Sequence, residues 1–284
     1  MLPTFVIGLR EGIEASLIVG IVAAFLRQRG RADALRRMWL GVTIAILLCI
    51  GVGVALQVVD QNLPQRQQEM LETVVAVAAV AMVTYMIVFM RHHARTLRGE
   101  LEARADAALA AGSTAALVSM AFLAVMREGL ETSVFLLAAF QSSSSKVSSG
   151  GGALLGVLVA VVVGIGIYRG GRRVNLARFF TVTGLVLVLV AAGLVAFAAH
   201  TAHEAGWLNV GQGQAVDLAG FVKPGSVRSA LLTGVLGIQP RPVWAEVVAW
   251  LAYLVPVTAF VLWPRAGGST AHRSPSPVSE TTPA

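Results

Sequence analysis

Apolar residues run through this chain in blocks too long for the alternation of a half-buried strand and too continuous for the stripe of a soluble amphipathic helix. Blocks near the length of about 20 residues that crosses a bilayer as a helix recur at roughly 4–26, 38–58, 71–90, 115–140, 152–168, 178–200 and 243–263. They predict an all-α, polytopic membrane protein of seven transmembrane helices. Two blocks are interrupted by charge in the same order, Arg10-Glu11-Gly12-Ile13-Glu14 in the first and Arg127-Glu128-Gly129-Leu130-Glu131 in the fourth. An ionised side chain at the centre of a spanning helix costs about 2.5 to 3.5 kcal/mol, so an ionisable residue at that depth is a functional candidate by default.

Composition agrees with the pattern. The 284 residues are 56% hydrophobic and 13% charged, with a mean hydropathy of +0.74, which excludes an ordinary soluble domain. The formal charge of +7 points to no nucleic-acid partner, because its distribution marks one side of a membrane. Arg27, Arg29, Arg31, Arg36 and Arg37 cluster in one connection, Arg91, Arg95, Arg98 and Arg104 in the third, and Arg169, Arg172, Arg173 and Arg178 in the fifth. The alternate connections carry only Arg66, then Lys146, then Lys223, Arg228 and Arg241 across the long stretch 201–242. By the positive-inside rule the N-terminus is outside and the C-terminus cytoplasmic, in contact with membrane lipid as a multi-pass protein of the cytoplasmic membrane. The start Met1-Leu2-Pro3-Thr4 has no basic residue, so the first block is expected to stay rather than be cleaved. Cys49 is the single cysteine, which excludes intramolecular disulfides and leaves oxygen and nitrogen to hold any metal.

An offset of 117 residues relates Glu11 to Glu128 and also Ser16 to Ser133. Three blocks separate the two copies. That odd number makes the copies run in opposite directions and predicts an inverted 3+3 repeat, the design in which secondary transporters place a substrate site near the midplane. The expected organisation is a single transmembrane domain over 1–263: repeat one over about 1–110, repeat two over about 111–200, an outer re-entrant segment at 201–242 and an added helix at 243–263. Within the re-entrant segment the apolar run Ala230–Ile238 is too short to span, and Trp207 and Trp244 are expected to sit at the interface. The Ser/Gly-rich stretch from Gln141 to Gly152 predicts a flexible outer loop. The Pro/Ser/Thr-rich residues 264–284 predict a disordered cytoplasmic tail.

On a helix, Arg10, Glu11 and Glu14 share one face, with Gly12 and Ser16 together on another. Arg127, Glu128, Glu131, Gly129 and Ser133 repeat that arrangement. Arg10 and Arg127 are placed to pair with the glutamate four residues on. The small residues at Gly12, Ser16, Gly129 and Ser133 allow close helix approach. If blocks one and four cross there, four carboxylates meet in a low-dielectric space, and a multivalent hard cation relieves their repulsion best. Charge and ligand type do not say which cation. Proton relay, a proton-coupled carrier for manganese or another divalent ion, and a membrane scaffold or sensor with purely structural salt bridges all use the same residues.

The doubled R-E-G-[IL]-E motif resembles the oxidase-dependent iron transporters, the family of the fungal high-affinity iron permeases and the bacterial EfeU-type permeases. The likeness to the bacterial branch runs from Leu9 to about Arg265 and includes Leu63-Pro64 ahead of Glu69-Met70-Leu71-Glu72, the stretch Phe135–Gln141, His203-Glu204-Ala205-Gly206 and Pro264-Arg265-Ala266-Gly267. The resemblance implies iron uptake across the cytoplasmic membrane with Glu11, Glu14, Glu128 and Glu131 as ligands, and iron as cargo with no resident cofactor and no enzymatic activity. It also implies an extracytoplasmic iron-binding protein and a haem peroxidase-like protein as partners. It leaves the oxidation state of the iron and the oligomeric state open.

Several outer residues form a secondary group. Glu69 and Glu72 lie one helical turn apart at the outer mouth of the third block, near Asp60, and His200, His203 and Glu204 close the sixth, with Asp217 beyond. They are candidates for an outer site that gathers metal, balanced against solvated helix ends and a hydrogen-bonded interfacial cluster. H-x-x-H-E matches no zinc-protease order. Glu246 reads as an ordinary acidic helix start, and His92 and His93 as part of a basic loop.

Overall fold

The computed structural model describes residues 1–93, 114–143, 145–170, 176–218, 236–237 and 239–263, together with Ala103 and Ala107. The tail 264–284, Arg95, Arg98, Arg104, Arg172, Arg173, Lys223, Arg228 and most of the run Ala230–Ile238 lie outside the described residues. Seven long helices account for nearly all of what is described: α1 (Leu2–Gln28), α2 (Ala32–Asn62), α3 (Gln65–His93), α4 (Thr114–Gln141), α5 (Lys146–Gly170), α6 (Leu176–Glu204) and α7 (Trp244–Leu262). The only extended pairing among the described residues is a single antiparallel bridge between Gln214 and Val243.

Five of the seven, α2, α3, α5, α6 and α7, are long and apolar enough to cross a membrane. The other two, α1 and α4, are also long enough, and each carries the three charges of its pentapeptide. Their neighbours turn apolar faces outward, with Leu47 and Val54 of α2, Leu158 and Val162 of α5 and Val255 of α7 all exposed. Such faces suit a lipid solvent, in which apolar exposure carries no penalty.

The packing has the exchange symmetry of two interlocked three-helix units. α1 lies along α5, with Gly12 facing Ala160 and Ser16 facing Gly164; α2 lies along α4, with Cys49 facing Gly129 and Gly53 facing Ser133. The offset that carries Gly12 to Gly129 and Ser16 to Ser133 is the offset of the motifs, and a second constant offset carries Ala160 to Cys49 and Gly164 to Gly53. The first helix of each repeat therefore packs on the second helix of the other. Both pairs run parallel, since contacts advance together along the two chains, from Gly41 against Val118 to Asp60 against Gln141 in the α2–α4 pair. The third helices α3 and α6 pack against each other in opposite directions, joined by Thr73 and Thr201 hydroxyls 2.8 Å apart and by Arg66 Nε donating to the Ala205 carbonyl at 3.4 Å. α7 covers α6 and runs alongside α3, where Tyr253 and Thr84 share a hydrogen bond of 2.8 Å.

Two apolar cores result. One gathers Val6 and Ile7 of α1, Val83 and Met86 of α3, Phe135 and Ala138 of α4 and Leu187 and Ala191 of α6. The other gathers Val22 and Leu26 of α1, Met38 and Val42 of α2 and Leu117 and Ala121 of α4. Along both α1 and α4 the charged pentapeptide falls between these cores.

The stretch 141–152 departs from its predicted loop. α5 begins at Lys146, Ser149 is buried, and Gly152 sits against the Met1 carbonyl and the Thr4 hydroxyl. Gly152 serves close approach to α1 instead of flexibility. The first connection is also shorter than predicted, because α2 starts at Ala32 and places Arg36 and Arg37 on its first turns. In the segment predicted to dip back into the membrane, Gly237 (φ +66°) touches Gly193, and Trp250 Nε1 donates to the Leu236 carbonyl at 2.8 Å. Gly193 lies eleven residues before the end of α6, a depth of about 16 Å at the helical rise. Trp207 and Trp244 are both exposed.

A Cβ at Gly156 would lie 2.8 Å from the Leu9 backbone nitrogen, whereas one at Gly166 meets nothing within 4 Å. Gly156→Val should therefore lower stability by about 1–3 kcal/mol through overpacking, read as a lower thermal midpoint in detergent, while Gly166→Val leaves the midpoint near that of the parent.

Candidate metal site

The two pentapeptides meet where α1 and α4 touch, between the apolar cores. Glu11, Glu128 and Glu131 each present a carboxylate oxygen within 4.8 Å of the other two. Glu11 and Glu128 are buried and Glu131 nearly so. Among the described residues, no N–H or hydroxyl donor reaches either oxygen of Glu11 or Oε2 of Glu128, and the Glu11 and Glu128 carboxyls lie within hydrogen-bonding reach of each other. Buried carboxylate oxygens in that condition are rare, because a buried acceptor left unpaired bears its full desolvation penalty.

Each arginine pairs within its own helix as the spacing predicts. Arg10 Nε donates to Glu14 Oε1 at 3.3 Å, and Arg127 Nε donates to Glu131 Oε1 at 2.9 Å with Glu128 Oε1 at 3.7 Å. The environments differ sharply. The Arg10–Glu14 pair is 1% and 4% exposed, the Arg127–Glu131 pair 52% and 16%. The fourth predicted ligand, Glu14, is not one of the three that converge; its carboxylate is turned to Arg10.

The small residues of the motifs act differently from the expectation that they let α1 and α4 cross closely. Gly12 and Ser16 face α5, and Gly129 and Ser133 face α2. Ser133 Oγ donates within reach of both the Gly129 carbonyl at 2.8 Å and the Cys49 carbonyl at 3.1 Å, tying α4 to α2. Flush packing on the back of each motif helix leaves the carboxylates directed at the other motif. Cys49, the single thiol of the sequence, has its Sγ against Gly129 and donating to the Met126 carbonyl at 3.5 Å.

The outer candidates form a looser group. Glu69 and Glu72 accept hydrogen bonds from Gln65 Nε2 at 3.1 Å and Gln68 Nε2 at 3.2 Å. Asp60, Glu69 and Glu204 lie close enough to act electrostatically on Glu72. His203 Nδ1 donates to the Leu208 carbonyl at 2.8 Å, and Asp217 forms an exposed ion pair with Arg241 at 3.8 Å. Among the described residues, no three of these acids and histidines converge as the motif glutamates do. Two residues differ from their sequence reading. Glu246 is buried and accepts from His200 Nδ1 at 2.8 Å, so it is no solvated helix start, and His200 also approaches Glu204 at 3.4 Å. Asp60 is buried and accepts from Gln141 Nε2 at 2.8 Å. Only the fold brings the ends of α2, α4, α6 and α7 to these partners.

The model of the iron permease FTR1 family matches residues 1–273 of this chain. The chain belongs to that family. It is 44% identical to the ferrous iron permease EfeU of Escherichia coli O6:K15:H31 (strain 536 / UPEC) over 277 residues, 96% of this chain and the full length of the relative. It is 40% identical over 274 residues to the ferrous iron permease EfeU of Yersinia pestis, covering 95% of this chain and 97% of the relative. A third relative, 44% identical over 279 residues, is the putative inactive ferrous iron permease EfeU of Escherichia coli strain K12. No solved structure matches. Membership of this permease family makes the protein a multi-pass transporter of the cell membrane and not an enzyme.

The back-face packing gives a direct test. A Cβ at Gly129 would lie 2.5 Å from Cys49 Sγ and 2.9 Å from its Cβ. Gly129→Ala should lower both the thermal midpoint and iron uptake, and adding Cys49→Gly should restore much of each, because the second change removes the atoms that clash.

Proposed function

We propose that this permease imports iron by seating it among Glu11, Glu128 and Glu131, with the N-terminus outside and the C-terminus in the cytoplasm. The observation that carries this reading is the convergence of three carboxylates from the two motif helices, with buried oxygens on Glu11 and Glu128 that no N–H or hydroxyl donor reaches. Carboxylate oxygen suits hard cations, and a multivalent ion resolves the mutual repulsion of the three acids in one step. Arg10 and Arg127 lower the net charge of the site and hold Glu14 and Glu131 at defined positions.

The location of the site follows the same logic. It lies between two apolar cores on α1 and α4, about 10 and 20 Å from the starts of the apolar blocks at the helical rise. Those cores separate the ion from both surfaces, so its passage requires helix movement instead of diffusion down an open pore. The acids Asp60, Glu69, Glu72 and Glu204 and the pair His200–Glu246 sit together on the side read as external, where they raise the local cation concentration ahead of the site.

Glu11→Gln and Glu128→Gln keep side-chain volume and remove the charge. Each should reduce uptake of radiolabelled iron in cells by at least about tenfold, equivalent to 1.4 kcal/mol of ion binding, with membrane abundance unchanged. Wild-type uptake in both variants would refute the ligand assignment.

A further inference from the structure

The two motifs are alike in sequence but are not in equivalent positions. The exchange that relates the repeats swaps Glu11 with Glu128, Arg10 with Arg127 and Glu14 with Glu131. Glu11 and Glu128 each map onto a residue that is also in the converging set. Glu131 does not; its counterpart Glu14 lies close enough to act electrostatically on Glu11, Glu128 and Glu131 but is not one of the three whose oxygens converge. The surroundings break symmetry in the same sense. Leu123, Arg127 and Leu130 form an exposed stripe on α4, whereas their counterparts Val6, Arg10 and Ile13 on α1 are buried.

We infer that transport proceeds by exchange of the third ligand: Glu131 completes the site in the arrangement seen here, Glu14 completes it in the arrangement with the roles of the repeats exchanged, and Glu11 and Glu128 hold the ion throughout. The inference rests on the carboxylate site proposed above. The two units have matching small-residue contacts, Gly12–Ala160 with Gly129–Cys49 and Ser16–Gly164 with Ser133–Gly53, so each already holds the kind of close approach that the packing of the other requires. Packed helices pass between such arrangements as discrete states, and rocking of inverted repeats about a fixed site is a general route to alternating access. Keeping two carboxylates on the ion while the third changes avoids exposing a bare multivalent charge to a low-dielectric interior. Glu14 and Glu131 each retain their own arginine four residues before, so the exchange moves the Arg–Glu pair as a unit. In the exchanged state Val6, Arg10 and Ile13 are uncovered and Leu123, Arg127 and Leu130 are covered.

The test separates binding from transport in the full-length protein, using ferrous iron under anoxic conditions as the probe. Equilibrium binding to protein in lipid nanodiscs should fall at least tenfold in Glu11→Gln and Glu128→Gln. In Glu14→Gln and Glu131→Gln it should stay within about threefold, because one three-carboxylate state survives in each and the population shifts to it. Uptake into proteoliposomes should fall at least tenfold in all four. With Cys49→Ala as background, the thiol introduced by Ile13→Cys should react with a small maleimide slowly in the parent and in Glu14→Gln, and faster in Glu131→Gln. Since Glu14→Gln leaves a buried arginine facing a neutral amide, the double variant Arg10→Gln/Glu14→Gln provides a second protein, expected to bind iron and fail to transport it. Equal loss of binding in all four single variants would show a static four-carboxylate cage and overturn the exchange. Wild-type uptake by Glu14→Gln would overturn it too, reducing Glu14 to a partner of Arg10. Undiminished binding in both Glu11→Gln and Glu128→Gln would instead remove the site itself.

Discussion

The structure depends on holding like charges together where water cannot screen them. Glu11, Glu128 and Glu131 lie within 4.8 Å of one another in a largely buried space. Carboxylates in such a space repel strongly and are poorly solvated. Left to themselves, the two motif helices would separate or turn their acids away. They are prevented by what lies behind them: Gly12 and Ser16 seated on α5, and Gly129 and Ser133 on α2, without room for a methyl group at either motif glycine. Dispersion between closely packed backbones, which supplies helix association in lipid where the hydrophobic effect does not, opposes that repulsion.

The interlocked arrangement accounts for the rest of the architecture. Each motif helix packs on a helix of the other repeat, so neither repeat forms half of the site alone. The apolar cores above and below the charges keep the carboxylates from water on both sides. α3 and α6 join the repeats on one flank, and α7 covers α6 with Glu246 anchored to His200. The carboxylates are thus carried on helices fixed from behind, with an apolar core on each side of them along both motif helices.

Much of this was legible in the residues. Helices of about the right number and place follow from apolar block length, and the inverted repeat follows from two identical charge patterns an odd number of blocks apart. The pairing of each arginine with the glutamate four residues on needed only helical geometry. Other features were not legible. The Ser/Gly-rich stretch at 141–152 signals flexibility by composition, but Gly152 is there because α1 begins against it. Glu246 looks like any acidic helix start until α6 brings His200 within 2.8 Å. Gly12 and Gly129 announce close contact without naming the helix contacted, since a small residue carries no information about its partner.

Local sequence by itself determined that this chain is helical, membrane-embedded and twofold repeated, because those properties depend on hydropathy and periodicity summed along the chain. It also singled out the two charged pentapeptides, because buried charge stands out against any apolar background. Which carboxylates converge was decided only by tertiary structure. Glu14 and Glu131 hold equivalent positions in matching motifs and each pairs with its own arginine, yet only Glu131 brings an oxygen within 4.8 Å of both Glu11 and Glu128. That distinction arises from how whole helices pack across the repeat interface, a long-range property that no window of sequence around either residue contains.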